Sequence, residues 1–186
     1  ALFDGYANDY EQHLTATLRY QVPQALVELW TQTVPDAKGL DVLDLGCGTG
    51  LSGAVLRPRA RQLTGIDLSP RMLARARERG IYDRLLEGDI VELLSQERTQ
   101  FDLACAADVF VYVGDLEAVM ATLKRVLHPG AYLVFSVESL EAGEYRLQPT
   151  GRYAHAPGYL EGLARRHGFE PLAQRGMTLR VEQGKP

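Results

Sequence analysis

The stretch Val42–Gly50, which reads VLDLGCGTG, decides the fold class of this chain. A short apolar strand runs into a turn with glycine at every second position, and glycine permits tight turns and lets a ligand touch the backbone. After a predicted helix comes a second strand, Leu63–Asp67, which also ends in a carboxylate. This order is typical of a βαβ unit that binds a nucleoside, with the second acid placed for the ribose hydroxyls.

Length and composition predict one soluble domain over residues 1–186. A chain of this size buries a proper core, and its formal net charge is −4. The sequence has no basic stripe for nucleic acid, no apolar run long enough to span a bilayer and no signal-peptide pattern. We therefore expect neither nucleic acid nor a membrane as a partner.

Cysteine and histidine usage points to a reducing compartment without a metal centre. The two cysteines, Cys47 and Cys105, form no CxxC motif and no disulfide framework, which favours the cytoplasm. None of the four histidines has the spacing of metal ligands, so no metal site is predicted.

Seven strand patterns occur along the chain, most of them separated by helix patterns. The strands are predicted at Leu40–Leu45, Gln62–Asp67, Arg84–Glu87, Phe101–Ala107, Ala131–Val137, Glu170–Gln174 and Met177–Glu182. The helices are predicted within Tyr6–Trp30, at Gly50–Arg57, between Ser69 and Gly80, between Asp115 and His128, and at Pro157–His167. The segment Glu138–Tyr153 has weak periodicity and is predicted to be a loop.

Strands that alternate with helices imply a parallel sheet with right-handed crossovers and helices on both faces. The last two strands are separated only by Arg175 and Gly176, which predicts a hairpin and one antiparallel terminal strand. The expected fold is a Rossmann-like, doubly wound α/β domain with a mostly parallel seven-stranded sheet. Residues 1–38 are predicted to form an N-terminal helical lid, and residues 39–186 the core.

The glycine turn has two interpretations. The spacing of Gly48, Gly50 and Gly53 matches the dinucleotide fingerprint. In a dinucleotide site the first glycine of the fingerprint directly follows the strand. Here the strand ends at Leu45 and the turn begins at Gly46, so a fingerprint that begins at Gly48 starts too late. A carboxylate at Asp44 is unfavourable beside a pyrophosphate and suits a ligand that carries positive charge. The residues therefore favour a nucleoside ligand with a cationic group, and leave a nicotinamide cofactor as the alternative.

Several motifs together resemble those of the class I S-adenosylmethionine-dependent methyltransferases. They are DLGCGTG at residues 44–50, GIDLS at 65–69, EGDI at 87–90, FDL at 101–103 and RVLHPG at 125–130. A finer resemblance is to the small predicted methyltransferases often fused to tetratricopeptide repeats. It is carried by LFDGYA at 2–7, DVFVYVGD at 108–115 and GRYAH at 151–155. Any such repeats would lie upstream of residue 1.

This resemblance implies S-adenosylmethionine as the cofactor, with its methionine half against the loop residues Gly46, Cys47 and Gly48. It implies that Asp44 helps to orient the ammonium end and that Asp67 accepts hydrogen bonds from both ribose hydroxyls.

The resemblance also implies an adenine site, in which Asp89 accepts from the exocyclic amine and Ile90 packs on the ring. The remaining cofactor-binding candidates that it implies are Leu68, Ala106, Tyr6 and Tyr10.

Five of these residues have a structural alternative. Asp67 and Asp89 each precede a predicted helix and could cap it. Tyr6 and Tyr10, which the resemblance places at the cofactor carboxylate, could instead pack on the sheet edge. Cys47 suits packing better than the role of a nucleophile.

The acceptor is expected at the carboxyl ends of the strands, where open α/β sheets bind ligands. The loops after the fourth and fifth strands supply the candidate catalytic residues Tyr112, Tyr153 and His155. His155 could equally cap the helix that begins at Pro157.

The expected activity is methyl transfer to an oxygen or nitrogen atom of a small-molecule acceptor. Methyltransferases that act on base or amide amines carry a Pro-Pro motif after the fourth strand, where residues 106–109 here read AADV. An NAD(P)-dependent oxidoreductase and a cofactor-binding module without turnover stand as alternatives. Against the oxidoreductase, no tyrosine is followed four residues later by the lysine that short-chain reductases use.

Overall fold

The computed structural model describes residues 21–177. Its main sheet has five strands, all parallel, in the order β3-β2-β1-β4-β5. These are β1 (Leu40–Leu45), β2 (Ala60–Asp67), β3 (Arg84–Glu87), β4 (Phe101–Ala106) and β5 (Leu127–Phe135). The strand order changes direction between β1 and β4, and ligands of open α/β sheets bind at the carboxyl ends of the strands beside such a switch point.

Helices cover both faces of this sheet. They are α1 (Val22–Thr33), α2 (Leu51–Leu56), α3 (Pro70–Glu78), α4 (Ile90–Gln96), α5 (Glu117–Val126) and α6 (Pro157–Arg166). Successive strand residues point to opposite faces, and Val42 and Leu43 accordingly belong to two different buried clusters. α1 contributes to the Val42 cluster, and α5 to the Leu43 cluster. The mostly parallel Rossmann-like fold is thus confirmed.

Local capping rules predict α3 correctly. The side-chain oxygen of Ser69 accepts a hydrogen bond from the backbone N–H of Met72, and Pro70 occupies the first turn, where no intrahelical N–H bond is lost. Gly80 follows the helix with a φ of 63°, a left-handed conformation that glycine adopts without strain.

Within residues 21–177 the main sheet has five strands rather than the predicted seven. Residues 170–174 form no strand, and the other strand of the predicted terminal hairpin lies outside the described residues from residue 178 onward. The predicted loop instead contributes to a small second sheet of β6 (Glu138–Ser139), β7 (Tyr145–Leu147) and β8 (Tyr153–His155), in the order β6-β8-β7. Strands of two or three residues are too short to give an alternating pattern.

β5 begins four residues earlier than predicted. The His-Pro-Gly sequence at 128–130 was expected to separate α5 from the strand, but it lies inside β5. β5 is an edge strand, and an edge tolerates proline because the missing N–H can face away from the neighbouring strand.

The predicted N-terminal helix is described only in part. α1 begins at Val22, and Tyr6 and Tyr10 lie outside the described residues. The division into a lid and a core stays a prediction. Among residues 21–177, no helix combines the length and the apolar character that crossing a bilayer requires.

Candidate active site

The loop after β1 is a tight turn in which three glycines have positive φ. The φ angles are 59° at Gly46, 53° at Gly48 and 92° at Gly50, a region that other residues adopt only with strain. The N–H of Cys47 donates to the carbonyl of Ile66 at 2.9 Å, which ties this turn to the end of β2. The glycines of the sequence motif are therefore required by the backbone itself.

Two of these glycines face different surroundings. A Cβ at Gly46 would lie 2.5 Å from a methyl carbon of Val109, so this glycine allows close packing against the segment after β4. A Cβ at Gly48 would have no atom nearer than the carbonyl oxygen of Gly46, at 4.0 Å. The loop thus presents an open backbone surface at Gly48, on which a ligand can lie.

Asp67 connects the end of β2 to this loop. Its Oδ2 accepts the N–H of Gly48 at 2.8 Å, and its Oδ1 accepts the N–H of Ser69, also at 2.8 Å. A carboxylate has about four lone-pair sites, which is more than these two hydrogen bonds use. The next residue, Leu68, has 66% of its surface exposed, which is unusual for a leucine beside a strand end.

Asp89 follows β3, the strand that pairs with the end of β2. β2 and β3 pair in parallel with Asp67 opposite Glu87, and the N–H of Gly88 donates to the carbonyl of Asp67 at 3.0 Å. Oδ1 of Asp89 accepts the N–H groups of Val91 and Glu92, so Asp89 caps α4 as the structural alternative predicted. This cap uses only one carboxylate oxygen, and binding of an adenine amine by Asp89 stays a prediction.

Asp44 lies beneath the loop and has no exposed surface. Its carboxylate accepts hydrogen bonds from the hydroxyls of Ser52, at 2.7 and 2.8 Å, and of Tyr82, at 2.6 Å. Burial raises the pKa of Asp44 to about 6, although both hydroxyls lower it. Asp44 therefore belongs to a buried polar cluster with Ser52 and Tyr82, and its pKa is about 6.

Tyr82 was not identified from the sequence, yet several glycines make room for it. A Cβ at Gly53 would lie 2.2 Å from its hydroxyl oxygen, and Cβ atoms at Gly65 and Gly50 would lie 2.9 and 3.2 Å from its ring. Packing around this phenol thus explains Gly53, the last glycine of the dinucleotide-like spacing, and contributes at Gly50. One feature of the sequence could have indicated this packing. Gly53 lies inside a predicted helix, where a glycine lowers stability unless a neighbouring group needs the space.

Neither cysteine is suited to nucleophilic chemistry. Cys47 and Cys105 are buried, and burial, with the nearby charge of Asp44, raises the pKa of each thiol well above its usual value. A thiol that stays protonated is a poor nucleophile. Ala106 is also fully buried, and its carbonyl accepts the N–H of Ser136 at 3.1 Å.

Asp108, which follows β4, has a left-handed backbone conformation, which aspartate tolerates better than most residues. Its φ is 56°, the only positive value outside glycine among residues 21–177. Its N–H donates to Oγ of Ser136 at 2.8 Å, and that hydroxyl donates to Oδ1 of Asp108 at 3.2 Å. Such strain costs about 1–2 kcal/mol and is common at functional sites.

Two of the candidate catalytic residues, Tyr153 and His155, belong to an aromatic cluster with Tyr145 and Tyr159. Tyr112 is 40% exposed, and the guanidinium of Arg152 lies 5.8 Å from its ring centroid.

His155 has no exposed surface, and its Nε2 donates to the carbonyl of Gly114 at 2.9 Å. Burial lowers the pKa of His155, so its ring is neutral at pH 7. It does not cap α6, whose N-cap residue is Ala156, so that alternative is wrong.

Comparison with known proteins decides the family. The methyltransferase domain family matches residues 43–135, from the strand before the glycine turn to the end of β5. The chain belongs to this family. The prediction of a class I S-adenosylmethionine-dependent methyltransferase is confirmed, whereas the finer resemblance to methyltransferases fused to tetratricopeptide repeats stays a prediction.

Two curated methyltransferases extend the similarity. The malonyl-[acyl-carrier protein] O-methyltransferase of Salmonella typhimurium is 34% identical over 172 residues, which are 91% of this chain and 66% of that protein. The ubiquinone biosynthesis O-methyltransferase of Bordetella avium is 28% identical over 168 residues, which are 80% of this chain and 70% of that protein. The chain spans just under two thirds of the Salmonella methyltransferase.

A solved structure supports the fold. Magnesium protoporphyrin IX methyltransferase from Synechocystis PCC 6803, with bound S-adenosylhomocysteine, superposes with a TM-score of 0.67 at 21% identity. The match covers 87% of this chain and 78% of that one. This likeness concerns the fold.

S-adenosylmethionine is the cofactor of this methyltransferase family, and the residues at the ends of β1, β2 and β3 suit it. The open surface at Gly48 leaves room for a ligand where any side chain would intrude. Asp67 offers lone pairs, and the exposed Leu68 beside it offers an apolar surface for a base.

Proposed function

We propose that this protein transfers the methyl group of S-adenosylmethionine to an oxygen or nitrogen atom of a small-molecule acceptor. The observation that carries the proposal is the open backbone surface at Gly48, held in place by the carboxylate of Asp67. The two curated relatives act as O-methyltransferases by name, which favours oxygen over nitrogen.

The proposed cofactor site extends across three strand ends. Gly46, Cys47 and Gly48 would contact the methionine half through the backbone, with the charge of Asp44 beneath them favouring the ammonium group. The ribose hydroxyls would donate to Asp67.

The adenine ring would lie next to the ribose, between Leu68 and Ile90. Its amine would donate to the Asp89 oxygen that does not cap α4. Ala106 would support this site from the core, because its side chain is fully buried.

Methyl transfer makes few chemical demands on the protein. A lone pair of the acceptor forms the new bond to the methyl carbon, while the C–S bond breaks and its electron pair neutralises the sulfonium. Orientation and exclusion of water are then the protein's main contributions. A general base is needed only if the acceptor must lose a proton, and His155, Tyr112 and Tyr153 are the candidates.

The alternatives differ in a measurable way. Calorimetric titration with S-adenosylhomocysteine, run beside NAD, is expected to give micromolar binding of the first ligand alone. Binding of NAD alone would refute the proposal, and binding of neither would contradict the proposed site. A cofactor-binding module without turnover would bind S-adenosylhomocysteine but methylate nothing in a screen with labelled cofactor.

The substitution Gly48→Ala is expected to weaken S-adenosylhomocysteine binding at least 10-fold while the fold survives. The new methyl group meets no protein atom within van der Waals contact and projects into the space proposed for the cofactor. The positive φ of 53° adds strain of about 1 kcal/mol.

The matched control is Gly39→Ala. Gly39 has a φ of 69° and also has free space where the Cβ of an alanine would lie. It carries the same strain at the amino end of β1, opposite the proposed site. Both variants should lose similar thermal stability, whereas only Gly48→Ala should lose affinity. Equal affinities for the two variants would contradict the proposed role of Gly48.

A further inference from the structure

Arg152 lies just before β8 and is held in a defined position. Its Nη1 donates to Oε1 of Glu138 at 3.2 Å, and its guanidinium lies 5.8 Å from the ring centroid of Tyr112. Its side chain is 21% exposed. Glu138 follows β5 and Tyr112 follows β4, so this cation lies at the carboxyl ends of these two neighbouring strands.

This guanidinium has hydrogen-bonding capacity to spare. An arginine carries five N–H donors in a planar fork, and within residues 21–177 only the bond to Glu138 uses one of them. A planar fork already oriented by a carboxylate and an aromatic ring loses little freedom when it binds a ligand. The carboxylate is the ligand group that matches this fork with two parallel hydrogen bonds.

Glu138, the hydrogen-bond partner of Arg152, lines a cleft of about 620 Å³ on one face of the small sheet. Glu138 and Arg146 both pair with Ala154, and all three line the cleft. Arg152 is two residues before Ala154, and residues two apart in an extended chain share a face. The cleft is large enough for a small-molecule ligand.

On the basis of the proposed function, we propose that the methyl acceptor carries a carboxylate group, which Arg152 binds, and that the rest of the acceptor occupies this cleft. The carboxylate of Glu138 leaves most of the N–H donors of Arg152 available and keeps the guanidinium oriented. An acceptor that is already ionised needs no general base, which agrees with the buried, hydrogen-bonded state of His155.

The test compares an acid with its own ester on protein saturated with S-adenosylhomocysteine. The probes are short thioesters of malonate and succinate, each with one free carboxylate, and their methyl esters, which lack it. Calorimetry is expected to give at least 10-fold tighter binding of the acids, because the charge-assisted hydrogen bonds are lost in the esters. Arg152→Gln should abolish this preference, and Arg152→Lys should lose most of it because the fork is missing.

Two arginine variants serve as controls. Arg165→Gln removes an exposed arginine on α6, paired with Glu161, and should keep the full preference for the acids. Arg146→Gln removes a cation from the same cleft and should keep most of it. Thermal unfolding of every variant checks that the fold is intact.

Three results would overturn the inference. They are equal binding of acid and ester, a preference that survives in Arg152→Gln, or a preference lost only in Arg146→Gln. If no acid binds protein that has taken up S-adenosylhomocysteine, this inference fails and the proposed function stands. If S-adenosylhomocysteine itself does not bind, the proposed function fails.

Discussion

Replacing Asp67 by alanine is expected to weaken S-adenosylhomocysteine binding at least 100-fold. The variant would lose the acceptor for two ribose hydroxyls, and hydrogen bonds to a charged group contribute about 1.5–3 kcal/mol each. It would also lose the bonds that fix the N–H groups of Gly48 and Ser69. Two lost bonds correspond to about 3 kcal/mol or more, which is a factor of about 100 in affinity.

Calorimetric titration with S-adenosylhomocysteine measures this effect directly. The matched control is Asp102→Ala, because Oδ2 of Asp102 also accepts a backbone N–H, from Asp41 at 2.9 Å, but at the amino end of β4. The control should bind with unchanged affinity. Retained affinity in Asp67→Ala would contradict the ribose role of this carboxylate.

The second large effect concerns the pH dependence of stability through Asp44. Burial raises the pKa of this carboxyl from 3.8 to about 6, so the folded state binds the proton more tightly than the unfolded state. The stabilisation is therefore fully present below about pH 4 and is lost as the pH rises through about 6. The shift corresponds to about 3 kcal/mol.

Urea unfolding of the wild type and of Asp44→Asn, at several values between pH 4 and pH 7, isolates this contribution. Asparagine has no titrating group, and the other groups cancel when the two free energies of unfolding are subtracted. The wild type is expected to lose about 2 kcal/mol relative to the variant over this range, because the rest of the effect lies below pH 4. A difference independent of pH would show that Asp44 keeps one protonation state throughout.

The substitution Tyr82→Phe tests whether the Tyr82 hydroxyl influences the pKa of Asp44. The phenol lowers the pKa of Asp44 by donating a hydrogen bond to its charged form. Removing that hydroxyl should move the midpoint of the pH dependence to higher pH. Because the ring remains, the packing against Gly53 and Gly65 is retained. An unmoved midpoint would mean that the hydroxyl has little influence on this carboxyl.

Much of the fold could be predicted from local patterns. β1, at Leu40–Leu45, and β3, at Arg84–Glu87, have the predicted bounds, and the capping of α3 by Ser69 is confirmed. These features depend on residues close together in the chain, such as an apolar run or a polar residue before a proline. The small sheet was missed because pairing of its short strands depends on residues up to 16 positions apart, Ser139 and His155 among them.

In the candidate site, too, some residues could be predicted from local sequence and others depend on long-range packing. The motif residues from β1 to α4 meet at one edge of the sheet because parallel strands bring their carboxyl ends together. Their identity was readable from the glycine turn and from the carboxylates that follow β2 and β3. Tyr82 and the strained Asp108 were not identified, because no local pattern marks a phenol or a turn residue as functional.

The family, the parallel sheet and the glycine turn could all be inferred from the amino-acid sequence, since each follows from backbone preferences and from motifs within a few residues. The protonation of Asp44 and the burial of His155 depend instead on long-range packing. Tyr82 lies 38 residues after Asp44, and Gly114 lies 41 residues before His155. Solvent exclusion and hydrogen-bond partners set the charge of a side chain, and both arise when distant segments pack together.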